Sequence, residues 1–223
     1  MQGYSTKKLK VKVGAFKARL KALSDHNQYS DPEGKAKQAG ICSASWSLFG
    51  QLWQASRVLA KAVKHVDIEN RRILELGCGL ALPSLVLQHR GANITASDYH
   101  PLSKRFLIHN ATINKLEPIP YINLPWADEK LDIGRFDLIV GSDILYEPDH
   151  ADMLAGLIER IASDKAKVII SCPGRGYRNR FTRSLADLGF TLNEQRVPFD
   201  KDEKPPYKGR LLTYRRGYTE LHA

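Results

Sequence analysis

Cysteine is scarce in this 223-residue chain, which holds only Cys42, Cys78 and Cys172, widely separated and odd in number. A disulfide framework is thereby excluded, and a reducing, cytoplasmic setting is expected. Long apolar runs are also missing. Nothing approaches the roughly 18–20 uninterrupted apolar residues of a membrane span, and no apolar block follows the N-terminal lysines as a secretory signal would require. The seven histidines are scattered, and no Cys/His cluster has the spacing of a zinc site, so no metal is expected. Acidic residues are absent from residues 1–24, where Lys7, Lys8, Lys10, Lys12, Lys17, Arg19 and Lys21 supply +7 of the net charge of +10. The rest of the chain is close to neutral, which argues against a nucleic-acid-binding body. The basic arm suits an acidic partner, and it equally suits a solvated terminus. Within it Leu9, Val11 and Val13 alternate with Lys8, Lys10 and Lys12, a period of two that fits a lysine-protected edge strand as well as a tail.

With 43% hydrophobic and 26% charged residues the chain can bury a sizeable core, and its length favours one domain with an appendage. Residues 1–45 read as a basic, partly loop extension and residues 46–223 as the main domain. Residues 24–40 are rich in turn formers, and a helical pattern spans 45–63, with Trp46, Phe49, Trp53, Ala60 and Val63 near one face. Strands are predicted over 72–76, 92–97, 119–124, 136–142 and 167–172, alternating with helices over 82–89, 101–114, 149–162 and 177–188. Three prolines around 119–124 mark that strand as an edge. Such alternation implies a mostly parallel sheet covered on both faces, joined by right-handed crossovers. Residues 190–197 and 210–216 have no room for a crossover helix between them and should pair antiparallel. The expected fold is α/β, Rossmann-like and doubly wound, with seven strands and a C-terminal antiparallel hairpin.

The most informative stretch is Ile73–Ala81 (ILELGCGLA). Gly77 and Gly79 directly after a buried strand permit a tight turn and close approach of backbone to a ligand. Glu75 lies at the strand's C-terminal end, where it would repel a pyrophosphate but suit an amino group. Asp98, 21 residues after Gly77, ends the next strand, where an acid can accept both ribose hydroxyls. A dinucleotide loop would want a third glycine at the position of Leu82. S-adenosylmethionine, with ribose, an amino group and no phosphate, fits both acids. A capping or salt-bridged structural role is the competing reading of Glu75.

These residues, with His109-Asn110, Leu124-Pro125-Trp126, Leu52-Trp53 and above all Ser142-Asp143-Ile144-Leu145-Tyr146, resemble a class I (seven-strand) methyltransferase. More narrowly, the segment from about Trp46 to Arg196 is similar to the family-16 protein lysine methyltransferases, the group of the electron-transfer-flavoprotein and calmodulin lysine methyltransferases. Ser142–Tyr146 matches that group's D-x-x-Y motif at the end of the fourth strand. The third glycine of the usual methyltransferase loop is Ala81 here, a change that a negative φ would tolerate.

The resemblance implies an S-adenosylmethionine-dependent N-methyltransferase acting on a protein lysine. It implies cofactor contacts from Trp53, Glu75, Gly77, Cys78, Gly79, Asp98, Tyr99, Trp126 and Ser142, and puts Asp143 and Tyr146 at the chemistry. A carboxylate can orient the attacking amine or help remove its proton. Plain packing competes for Trp53, Trp126, Tyr99 and Tyr146, and a helix cap competes for Asp143. Asn110 reads as structural. A small-molecule or RNA methyltransferase is the alternative, although SDILY lacks the prolines of the base-flipping amino-methyltransferases. A non-catalytic cofactor-binding module ranks below both.

Overall fold

A computed structural model of the protein describes residues 3–130, 132–198 and 207–218. Its main sheet has the strand order β5-β4-β3-β6-β7-β9-β8, with β3 (Arg72–Leu76), β4 (Asn93–Asp98), β5 (Tyr121–Asn123), β6 (Phe136–Ser142) and β7 (Ala162–Cys172) mutually parallel. The last two strands, β8 (Thr191–Arg196) and β9 (Arg210–Arg216), pair antiparallel, and β9 inserts between β7 and β8. The expected seven-stranded sheet and terminal hairpin are therefore present, with 119–124 shortened to β5 at the edge. Most of the loop 198–209 lies outside the described residues.

Alternation along β3 shows how the strands divide the core. Ile73 packs with one hydrophobic cluster, while Leu74 and Leu76 join another. Within both clusters each fully buried aliphatic side chain contributes about 1.5–3 kcal/mol. On one face lie α6 (His150–Ile161) and α7 (Arg178–Asp187). The other carries α3 (Gln54–Val63), α4 (Leu82–His89) and α5 (Ser103–Ile113). After β3 the chain builds outward through β4 to β5, then returns to place β6 on the opposite side of β3. That reversal opens a crevice at the C-terminal ends of β3 and β6, the usual ligand position in open α/β sheets.

The basic arm forms a separate antiparallel hairpin, β1 (Thr6–Val13) and β2 (Phe16–Leu23). Val11, Val13, Ala18 and Leu20 are buried against α4 and α5, so the period of two is resolved as strand. Asn110 of α5 and Asn114, which caps its C-terminus, complete the outer edge of β2. Asn110 accepts from the Lys21 amide at 2.7 Å and Asn114 from the Arg19 amide at 2.8 Å. Their side-chain amides donate back to the Lys21 and Arg19 carbonyls. Asparagine suits this use because one planar amide offers a donor and an acceptor, as a neighbouring strand would.

Residues 45–63 do not form one helix. They divide into α2 (Ser43–Trp46), a 3-10 turn over Ser47–Gly50, and α3. Gly50 lies so close to Leu23 that a Cβ there would come within 2.3 Å of its side chain. Gln51 and Trp53 are extended (ψ 146° and 147°), and Gln51 donates to the Asp25 carbonyl. Docking the hairpin thus breaks a sequence whose apolar spacing alone reads as continuous helix. No helix among the described residues is long and apolar enough to cross a membrane.

Asn110→Ala should destabilise the protein by about 2 kcal/mol, because it leaves the Lys21 amide without its acceptor. Thermal unfolding combined with amide hydrogen exchange checks this: Lys21 should exchange faster than in wild type while β3 amides stay protected to near the global stability.

Candidate active site

The turn from β3 into α4 carries the glycine loop, and a hydrogen-bond chain fixes it to β4. The Cys78 amide donates to the Ser97 carbonyl at 2.9 Å, and the Ser97 hydroxyl to the Glu75 carbonyl at 2.7 Å. Asp98, only 6% exposed, accepts from the Gly79 amide at 2.8 Å and from the His100 amide at 2.9 Å. Desolvation holds its carboxyl above the ordinary aspartate range. The Ser103 hydroxyl and the Tyr99 amide also approach this carboxylate, and because it lines the cavity a ligand diol can share it with these donors.

Gly79 has a φ of 51°, and a Cβ there would lie 2.7 Å from the Phe49 carbonyl oxygen. The loop therefore needs glycine at this position both for its conformation and for the close approach of residues 47–50. A negative φ would have made Ala81 a small change, but the residue takes 60° as the cap of α4. A left-handed alanine costs about 1–2 kcal/mol. Its fully buried methyl recovers part of that through contact with the core beside α4.

A cavity of about 340 Å³ opens over this loop, within the range typical of small-molecule sites. Gly77, Cys78, Gly79, Asp98, Tyr99, Trp126, Ser142, Asp143 and Tyr146 all line it, as does Trp53 from the break before α3. Sequence reasoning had placed each of these at the site. Trp53 is 37% exposed and donates its indole N–H to the Leu48 carbonyl at 2.9 Å. Trp126 is nearly buried and stands edge-on to His150, with ring centroids 5.0 Å apart.

Glu75 does not line the cavity. It is fully buried on the α4 side of β3, where one carboxyl oxygen accepts from the Ser84 amide at 2.9 Å and from the Ser84 hydroxyl, while the other has no partner among the described residues. The carboxyl thus ties the first turn of α4 to the sheet. Burial pushes its pKa up to about 8, against the Ser84 hydrogen bonds.

At the end of β6, Asp143 has a φ of 52°, and its amide donates to the Ser171 carbonyl at 2.8 Å. Aspartate is among the few side chains that tolerate this region. No helix begins at Asp143, since α6 starts at His150. Instead the Asp143 carboxylate receives both arms of the Arg175 guanidinium, at 2.9 Å and 2.8 Å. Arg175 belongs to the Pro173–Gly176 turn after β7 and also lines the cavity. No sequence motif announced it, although an arginine between two glycines after a buried strand was a usable signal. Tyr146 shares a hydrogen bond with Tyr99, and desolvation raises both phenols, so both are neutral at physiological pH. Also unanticipated are Phe49 and His100, which stack at 3.8 Å on the cavity wall. Burial pushes the His100 pKa down to about 3, so its imidazole is uncharged.

Residues 42–186 match the family model described as lysine methyltransferase. The chain belongs to this family. Protein N-lysine methyltransferase METTL21A of Danio rerio is 31% identical over 193 residues, covering 81% of this chain and 87% of that protein. Histone-arginine methyltransferase METTL23 of Xenopus laevis is 31% identical over 111 residues, 46% of this chain and 47% of its own. Among solved structures, magnesium protoporphyrin IX methyltransferase (ChlM) from Synechocystis PCC 6803 with bound SAM has a TM-score of 0.59 at 17% identity. It covers 85% of this chain and 100% of its own, which supports the fold. The cofactor of this family member is S-adenosylmethionine, and the Asp98 carboxylate, the glycine loop and the aromatic walls of the cavity fit its diol and adenine.

Two outcomes are expected. Asp98→Asn should weaken S-adenosylmethionine binding roughly tenfold to a hundredfold, as loss of a charged acceptor costs about 1.5–3 kcal/mol. Calorimetric titration of the folded variant measures this, and unchanged affinity would remove Asp98 from the site. Glu75, with its folded pKa raised from 4.5 to about 8, contributes stability that is complete below about pH 4.5 and is lost as pH rises through about 8. Melting temperature followed across that window should fall in wild type, and Glu75→Gln should flatten the profile by an amount worth roughly a few kcal/mol.

Proposed function

We propose that this protein transfers a methyl group from S-adenosylmethionine to the side-chain nitrogen of a lysine in a protein substrate. The observation that carries this reading is the meeting of Asp143 and Tyr146 with Asp98 and the glycine loop at one cavity. In this reading Asp98 accepts the ribose hydroxyls, Gly77, Cys78 and Gly79 approach the cofactor by backbone, and Trp126 and Tyr99 flank its apolar parts. Trp53 and Ser142 complete the cofactor wall. Glu75 acts one step removed, by fixing the α4 turn on which that loop rests.

When bound, the cofactor supplies a methyl group on a sulfonium, a good leaving group. The protein has to present a neutral nitrogen in line with it. A free lysine has a pKa near ~10.4, and burial among Trp53, Tyr99 and Tyr146 lowers that by disfavouring the charged form. Tyr146 keeps its proton, so it orients by hydrogen bonding and does not act as the base. Asp143, at the end of β6 beside Tyr146, is the carboxylate assigned to hold the incoming amine. It stands ready in a bidentate pair with Arg175, which balances its charge until substrate arrives. The free cysteines, with Cys78 and Cys172 buried, accord with work in a reducing, cytoplasmic compartment.

The test is incubation with methyl-labelled S-adenosylmethionine and cell lysate, followed by complete hydrolysis of the labelled protein. Label in methylated lysine is expected; label in methylarginine, methylhistidine or RNA would overturn the assignment. With the substrate in hand, Asp143→Asn should lower turnover by about 10²-fold, as for a positioned acid–base group, with much less effect on cofactor affinity. Raising the pH should partly restore it, since more of the substrate amine is then neutral. Full turnover in the variant would end the role given to Asp143.

A further inference from the structure

The β1–β2 register sets Lys8 opposite Lys21, Lys10 opposite Arg19, and Lys12 opposite Lys17. These three rungs share one side of the ribbon, because alternate residues of a strand point the same way. The other side, with Val11 opposite Ala18 and Leu9 opposite Leu20, is packed on the body of the protein. Lys8, Lys10, Lys12, Lys17 and Arg19 are exposed and Lys21 half-buried. Among the described residues none of the six forms an ion pair with a carboxylate. Like charges directly opposite across a strand pair destabilise it. Protection of a free strand edge would take one or two lysines on β1, not cations facing each other on both strands. The imidazole of His109, on the neighbouring helix, is held below its ordinary pKa by burial and by Lys21 and Lys8, so it adds no compensating charge.

We propose that this cation ladder is a docking surface for an extended acidic segment of a partner protein. The rungs repeat every two residues, about 6.8 Å, which is also the spacing of alternate side chains in an extended peptide. A strand bearing Asp or Glu at every second position therefore meets the rungs one to one. A protein is favoured over RNA by the make-up of the face. Five of its six cations are lysine, a point charge, where phosphate recognition favours the arginine fork. It also presents no aromatic ring for a base to stack on, since Phe16 is stacked on His89. The ladder is physically continuous with the active site. β2 leads into Asp25 and His26, whose carbonyls are held by Gln51 and Ser47, and His26 stands edge-on to Trp53 at the cavity. Docking is independent of which side chain is methylated.

The experiment titrates fluorescent poly-L-glutamate and, separately, poly(U) RNA into the full chain at low salt, using wild type and the variant Lys8→Gln/Lys10→Gln/Lys12→Gln/Lys17→Gln. Wild type should bind poly-L-glutamate in preference to poly(U), with affinity that falls steeply as salt is added. The variant should bind at least about fourfold more weakly, given about 0.2–1 kcal/mol for each of the four exposed charge pairs lost. Its melting temperature should be equal or higher, because the cross-strand repulsion is relieved, and its S-adenosylmethionine affinity should be unchanged. Equal binding of poly-L-glutamate by the two proteins, no binding by wild type, or preference for poly(U) would each overturn the proposal.

Discussion

One carboxylate organises the catalytic edge of the sheet. Asp98 takes the amide of Gly79, from the turn after β3, and the amide of His100, from the turn after its own strand. Its main-chain carbonyl meanwhile accepts from the Tyr121 hydroxyl and the Leu124 amide, which binds in β5 and the segment after it. Three adjacent strand ends are thus fixed to one residue. The cost of burying the charge is offset by charge-assisted bonds to backbone amides, which are among the stronger hydrogen bonds in proteins. Without this anchor a glycine loop at positive φ would have many conformations open to it and no reason to hold the one that leaves room for a nucleoside.

The other half of the site is built on β6 and depends on the first. Asp143 leaves β6 in a left-handed conformation that the Ser171 carbonyl and the Arg175 guanidinium stabilise from β7 and the turn beyond it. Strain of this kind recurs at functional positions. The cavity is roofed by residues 41–56, which are broken into short helical pieces where the N-terminal hairpin presses on Gly50. The hairpin is held in turn by Asn110, whose side chain also donates to the Leu80 carbonyl of the glycine loop. Hairpin, roof and loop form one mechanical unit.

Much of this was legible in the residues. Short apolar runs such as RILEL, FDLIVGS and KVIISC read as strands, the last two as buried ones, and their alternation with helical periods implies the parallel sheet. Gly77, Gly79, Asp98, Asp143 and Tyr146 were identifiable because a strand end followed by glycine or acid is where such sheets do chemistry. What escaped was decided by packing between distant segments. The break at Gln51–Trp53 arises from Leu23 pressing on Gly50, about thirty residues away in sequence. Ala81 adopts a positive φ because the turn geometry overrides the alanine preference. Glu75 turns away from the cavity to the Ser84 amide, a choice between two faces that its position at the strand end left open. Arg175 pairs with Asp143 across a separation of 32 residues, which no local pattern encodes.

Every role given to these residues depends on where the cofactor lies. A crystal structure of the protein with S-adenosylhomocysteine bound would decide it. The ribose hydroxyls should be found on the Asp98 carboxylate and the sulfur facing Asp143 and Tyr146, with the Gly79–Asp98 bond intact. A ligand seated away from the ends of β3 and β4, or a ribose that makes no contact with Asp98, would contradict it.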